Sequence, residues 1–138
     1  MKYNVPGIQS IGYLSGDRLN KDLMKLALVG LPPMIFTVPT IIKGIKDAKM
    51  EWETEESDGV PVQTAKLQFF STDSIPDYKN LAFIVKTVVG NRMLIGTDDS
   101  GFPSVKRTES TGTASNEAKG IVYEVSHKAV RAVINLLV

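Results

Sequence analysis

The stretch of sequence that decides the fold is residues 48–70, AKMEWETEESDGVPVQTAKLQFF. In its first half, charged residues alternate with three that can face a core: Met50, Trp52 and Thr54. This period of two is typical of a strand with one buried face. Ser57-Asp58-Gly59 then supplies turn chemistry, and strand-forming residues follow. The sequence therefore predicts an antiparallel hairpin with strands 48–56 and 60–70, and it predicts a substantially buried Trp52.

Further strands are predicted on both sides of this hairpin, because short apolar or alternating segments are separated by turn signals. They are residues 8–14, 40–45, 81–89, 92–96, 104–109, 120–128 and 130–138. Gly90-Asn91 is a signal for a two-residue hairpin turn. Residues 17–29 fit a short helix or a buried strand, and the helix is favoured. Residues 34–38 lie between prolines, which favours an edge strand or an extended connector.

These patterns predict one fold class for the whole chain. Six or more strands with short connections are typical of a mostly β protein, either an antiparallel β-sandwich or a small β-barrel with at most one or two short helices. A length of 138 residues corresponds to one domain. We therefore expect residues 1–138 to form a single β-rich domain. Residues 98–101 should form a turn, and residues 110–119 a loop of small residues.

Composition argues against several classes of function. The net charge of +1, from 16 basic and 15 acidic residues, argues against a surface for nucleic acid. The absence of cysteine removes thiolate catalysis, disulfides and cysteine-ligated zinc. The first ten residues, MKYNVPGIQS, lack the apolar core of a signal peptide. The most apolar stretch, residues 23–42, is interrupted by prolines, so a soluble chain without a membrane span is expected.

No constellation in the sequence predicts catalysis, a cofactor or a metal. His127 is the single histidine, and a structural or exposed role is expected because a catalytic base needs partners. The spacing Gly96-x4-Gly101 lacks the lysine of a phosphate-binding loop. The acidic clusters at 53–58, 73–77 and 98–99 lack calcium-loop spacing and are typical of turns and solvated strands. We therefore expect no catalytic, cofactor or metal residue, and a chain that is not an enzyme.

Two runs, KLQFFSTDSIP and LAFIVKTVVGNRMLIGT, followed by the turn FPSV, resemble parts of known proteins. The resemblance covers residues 48–138, and it is to small β-rich proteins from the head–tail and tail morphogenesis regions of Bacteroidetes phages and prophages. It implies a non-catalytic role in virion assembly, in the tail or in head–tail joining. It also implies self-association or contact with other phage structural proteins, and a location in the host cytoplasm and then in the virion.

The residues expected to make such contacts are charged. The far end of the hairpin carries four carboxylates: Glu53, Glu55, Glu56 and Asp58. They would repel their own copies in a like-to-like contact, so a neighbouring subunit should supply cations, with Lys106 and Arg107 as candidates. A head-to-tail ring is then favoured over a two-fold dimer. The alternative function is a solute- or glycan-binding β-domain, which would gather polar groups in one pocket.

Overall fold

A computed structural model of the chain describes residues 2–4, 7–16, 19, 26, 28–30, 38–76, 80–96, 103–110, 120–129 and 131–136. Within these ranges the chain forms ten strands. They are β1 Lys2–Asn4, β2 Ile8–Ser15, β3 Thr40–Ile41, β4 Lys46–Ser57, β5 Val60–Ser71, β6 Leu81–Thr87, β7 Arg92–Ile95, β8 Ser104–Ser110, β9 Gly120–Ala129 and β10 Val133–Asn135.

The strands form two five-stranded antiparallel sheets that are not closed into a barrel. Sheet I has the order β1-β4-β5-β9-β8, and sheet II has the order β10-β7-β6-β2-β3. One core cluster takes residues from both sheets, such as Leu67 and Tyr123 of sheet I with Ile11 and Phe83 of sheet II. The predicted fold class is therefore confirmed in its sandwich form, because the two inner faces pack on each other.

Alternation along the strands of sheet I builds its half of the core. In β9, Tyr123, Val125 and His127 are buried while Glu124 and Ser126 between them are exposed. Tyr123 stacks on Phe69 of the neighbouring strand, with ring centroids 5.2 Å apart. Stacked aromatic pairs of this kind add to the stabilisation from burial alone. The inner face of sheet I is thus mostly apolar, and the outer face of β9 at Glu124 and Ser126 is polar.

The central strand β6 of sheet II is buried on both faces, as its unbroken apolar run predicts. One face of β6 carries Phe83 in the shared core. The other face carries Ala82 and Ile84, which belong to a second cluster with Leu94 and Leu19. Leu19 comes from the connection between β2 and β3, so this connection contributes to the cover of the outer face.

Several predicted boundaries were wrong. β6 ends at Thr87, and Val88 and Val89 are 65% and 69% exposed in the turn that follows. The turn is longer than the predicted Gly90-Asn91 pair. The amide of Gly90 donates to the Thr87 carbonyl, Gly90 has a φ of 95°, and the Thr87 amide donates to the Asn91 carbonyl. This is the pattern of a three-residue loop with a glycine bulge.

The strands predicted at 40–45 and 130–138 are confirmed only as the short β3 and β10. Leu26 and Leu28 have helical backbone, but most of the segment 17–29 lies outside the described residues. The same holds for most of 34–38 and for the predicted turn and loop at 98–101 and 110–119. Those predictions stay untested.

Candidate functional site

The hairpin of β4 and β5 extends beyond the ends of its neighbouring strands in sheet I. The two strands pair from Lys46 and Phe70 to Ser57 and Val60, which confirms the predicted hairpin. Asp58 and Gly59 close it with φ angles of 53° and 78°. Positive φ at both central residues is the signature of a type I′ turn, and an Asp-Gly pair adopts it readily. The turn twists in the same sense as the strands, so the hairpin continues without splaying.

The far part of this hairpin has no neighbouring strand among the described residues. β1 pairs with β4 only as far as Glu53, and β9 pairs with β5 only from Gln63. Residues 54–62 therefore form a two-stranded ribbon, which we call the arm. Thr54 and Glu55 point to opposite faces of the ribbon, and both are exposed. The arm leaves the sandwich with neither face covered by the described part of the chain.

Burial along one face of β4 falls toward the arm. Met50 is buried, Trp52 is half-buried and packs against the core cluster, and Thr54 is exposed. The expected burial of Trp52 is thus confirmed only in part. Its position explains this, because Trp52 is the last residue on this face before the arm begins.

The outer face of sheet I holds a groove of about 660 Å³. The exposed or half-exposed side chains along it come from four strands and form two rows in register: Lys49, Gln68, Glu124 and Lys106, then Glu51, Lys66, Ser126 and Ser104. Three lysines and two glutamates give this lining a net charge of +1. Each glutamate lies directly across from a lysine, Glu51 from Lys66 and Glu124 from Lys106. Such cross-strand pairs are mutually favourable and fix the side chains in an alternating pattern.

The groove can bind anions and hydrogen-bonding groups. Its amines suit carboxylate, phosphate or sulfate groups, and its hydroxyl and amide groups suit polar ligands. Its lining contains no aromatic ring on which a sugar ring could stack. It also contains no histidine, and in the described part of the chain no group of three or more histidine, aspartate or glutamate side chains is arranged to hold a metal.

Arg107 faces the interior of the sandwich and not the groove. In register it lies beside Tyr123, and its guanidinium donates to the carbonyls of Ile75 and Pro76, the second bond at 2.9 Å. The Tyr123 hydroxyl accepts from the Ile75 amide and donates to the Asp73 carbonyl, both at 3.0 Å. Arg107 and Tyr123 thus anchor the loop that leads from sheet I to sheet II.

His127 also faces inward. It lies across from Ala65 in register and is 5% exposed. Burial lowers its pKa below the ordinary 6.5, because the charged imidazolium loses hydration. A neutral, buried imidazole on the inner face does not reach the groove, which lies on the other side of the sheet.

The structure separates the six predicted interaction residues into three places. Glu55, Glu56 and Asp58 are exposed on the arm, and Glu53 is exposed at its base. Lys106 is exposed in the groove. Arg107 binds the loop inside the sandwich. Sequence reasoning missed Lys49 and Lys66, whose polar positions in an alternating strand were the available signal.

Comparisons with known proteins give no relative. A scan of protein-family models, a search of curated proteins and a search of solved structures found nothing that matches this chain. The described residues contain no helix with the length and hydropathy needed to cross a membrane.

Proposed function

We propose that this chain is a non-catalytic subunit of a phage virion assembly, in the tail or in head–tail joining, that acts through protein–protein contacts. The arm is the observation that carries the proposal. A two-stranded hairpin outside a sheet is only marginally stable in water. Residues 54–62 gain buried surface when another protein covers them, and a projecting ribbon is suited to that use.

The charge of the arm supports the same use. Its three carboxylates are exposed, and no lysine or arginine occurs from Thr54 to Val62. Charge of one sign keeps free arms apart in solution, because two arms repel each other. A partner with exposed cations removes this repulsion, so the arm discriminates between a copy of itself and a basic surface. The phage class of the assembly rests on the resemblance of residues 48–138, and with it the location in the host cytoplasm and the virion.

An arm-shortened variant tests this function. Deleting Glu55, Glu56, Pro61 and Val62 removes two residues from each strand, and these residues pair with each other in register. Side-chain alternation and the Asp58-Gly59 turn are kept, because the period of a strand is two. The full chain and this variant are compared by light scattering across concentration, alone and with the products of the neighbouring genes.

We expect complexes with the full chain and loss of those complexes with the shortened variant, which should still unfold in one cooperative thermal transition. Glu109→Lys is a matched control, since Glu109 is exposed and lies outside the arm. If the full chain stays monomeric with every neighbouring gene product and binds a sugar or metabolite, the assembly function is wrong.

The second candidate function is a solute- or glycan-binding domain. It is favoured by the groove, whose volume of about 660 Å³ lies within the range of roughly 300–1,000 Å³ that is usual for ligand sites. Calorimetric titration with neutral and acidic sugars separates the two candidates. A saturable heat that Lys66→Ala abolishes would favour the solute-binding domain.

A further inference from the structure

We propose that the groove on the outer face of sheet I receives the arm of a second copy of this chain. The inference rests on the proposed assembly function and names one of its contacts. Arm and groove are different surfaces of the same sheet, so the contact joins unlike surfaces on two copies. A copy that gives its arm to one neighbour still presents its groove to another.

Charge complementarity selects the acidic arm as the occupant. The arm carries Glu55, Glu56 and Asp58 and no cation. The groove carries Lys49, Lys66 and Lys106, and its two glutamates lie beside lysines in register. The net charge of the groove, +1, is therefore opposite in sign to that of the arm, and an amine lies on each of β4, β5 and β8. Lys106 and Arg107 are the predicted cations. Arg107 faces the interior of the sandwich, so Lys106 is the one of the two that is placed for this contact.

The width of the groove fits a two-stranded ribbon. Lys49 and Lys106 end one row that crosses β4, β5, β9 and β8. Three strand spacings separate these ends, about 14 Å. A two-stranded ribbon has one spacing between its strands, about 4.8 Å, so it can lie over Gln68 and Glu124 with the two lysines on either side. Glu55 and Glu56 point to opposite faces of the ribbon, so acidic groups reach the groove whichever face it presents.

The arm and groove of one copy cannot meet. The arm continues β4 and β5 away from the groove, and the paired ladder runs unbroken from Lys49 to Ser57. Folding back would break that ladder. The occupant must therefore come from another molecule.

A charge exchange tests the contact. One variant carries Glu55→Lys and Glu56→Lys, and the other carries Lys66→Glu and Lys106→Glu. Sedimentation velocity is recorded for the wild type, for each variant alone and for their mixture, at low and high ionic strength. Lys86→Glu and Glu109→Lys are matched reversals at exposed positions outside the arm and groove.

We expect the wild type to self-associate, and salt to weaken the association because exposed charges are screened. Each double variant should associate about tenfold more weakly or worse. The mixture should regain association, because both of its arm–groove combinations are again opposite in charge. The two control variants should associate as the wild type does.

The absence of cysteine permits a second measurement that does not depend on those variants being stable. Glu55→Cys and Lys106→Cys are placed on separate copies, which are mixed under a mild oxidant. A disulfide-linked dimer should form, and Glu55→Cys mixed with Lys86→Cys should give little.

Three outcomes would overturn the inference: a wild type that is monomeric at every concentration in low salt, self-association that both double variants retain, or a mixture that fails to recover. Each is distinct from failure of the proposed function. In each of these cases, the full chain could still form complexes with neighbouring gene products, and the shortened variant could lose them. That result would support the assembly function with a partner other than a second copy of this chain.

Discussion

The guanidinium of Arg107 lies over the ring of Tyr123, with 5.5 Å between its central carbon and the ring centroid. Its donors reach the carbonyls of Ile75 and Pro76, while the Tyr123 hydroxyl binds the same loop at Asp73 and Ile75. Two neighbouring side chains of sheet I therefore fix the loop that carries Ile75 into the core, where it is 2% exposed. Arg107 stabilises the fold, while the adjacent Lys106 faces the solvent.

Substitution of Arg107 by alanine should lower the free energy of unfolding by about 2–3 kcal/mol, because two loop carbonyls lose a charged donor. Arg107→Lys should recover only part of this, since an ammonium cannot reproduce the two-pronged geometry. Urea denaturation measures both. Lys106→Ala is the neighbouring control, and its exposed side chain should contribute less than about 0.5 kcal/mol. Equal effects of the substitutions at 106 and 107 would contradict the inward position of Arg107.

Phe69 should contribute more than Trp52 to the free energy of unfolding, because Phe69 is the more deeply buried of the two. Phe69→Ala removes a ring that is 0% exposed and should cost about 3–5 kcal/mol. Trp52→Ala removes a larger but half-buried ring at the base of the arm, and should cost about 2 kcal/mol. Denaturant unfolding of both variants checks the order. A larger loss for Trp52→Ala would contradict the half-buried position of Trp52.

The sequence predicts the hairpin and the mostly β fold because their information is local, but it leaves a sandwich and a small barrel as alternatives. In β9, and in β4 as far as Trp52, one face is more buried than the other, so burial follows the alternation of residues along the strand. The turn at Asp58-Gly59 is equally local, since its positive φ angles call for these residue types.

The groove could not be predicted in the same way. Lys49, Lys66 and Lys106 come from three strands, and no local pattern says that β9 lies between β5 and β8. Arg107 was misleading for a different reason, because adjacent residues in a strand point to opposite faces and the predicted strand 104–109 already implied this. Lys106 and Arg107 look like one basic pair in the sequence. In the structure, Lys106 lies in the groove on the outer face, and Arg107 points into the sandwich.

Gly59 should be required for the stability of the arm because of its backbone conformation, and not because a larger side chain would clash. A β-carbon at Gly59 would meet nothing within 4 Å, yet its φ of 78° is unfavourable for other residues. Gly59→Ala should therefore cost about 1 kcal/mol. Asp58→Asn should cost close to nothing, because asparagine tolerates the same backbone region. Thermal unfolding of both variants checks this, and a fully stable Gly59→Ala variant would contradict the type I′ turn.

His127 should make the protein less stable as the pH falls below 6.5. Burial lowers the pKa of its imidazole in the folded state, so the unfolded chain takes up a proton first. The contribution of the neutral imidazole is complete above 6.5 and is lost between 6.5 and the lower folded-state pKa. Urea unfolding at a series of pH values measures the slope, and His127→Gln should flatten it in that interval. Because His127 is the single histidine of the chain, its imidazole signal in a proton NMR titration gives the folded-state pKa directly. A pKa at or above 6.5, or stability that rises as the pH falls through this interval, would contradict the buried position of His127 on the inner face of sheet I.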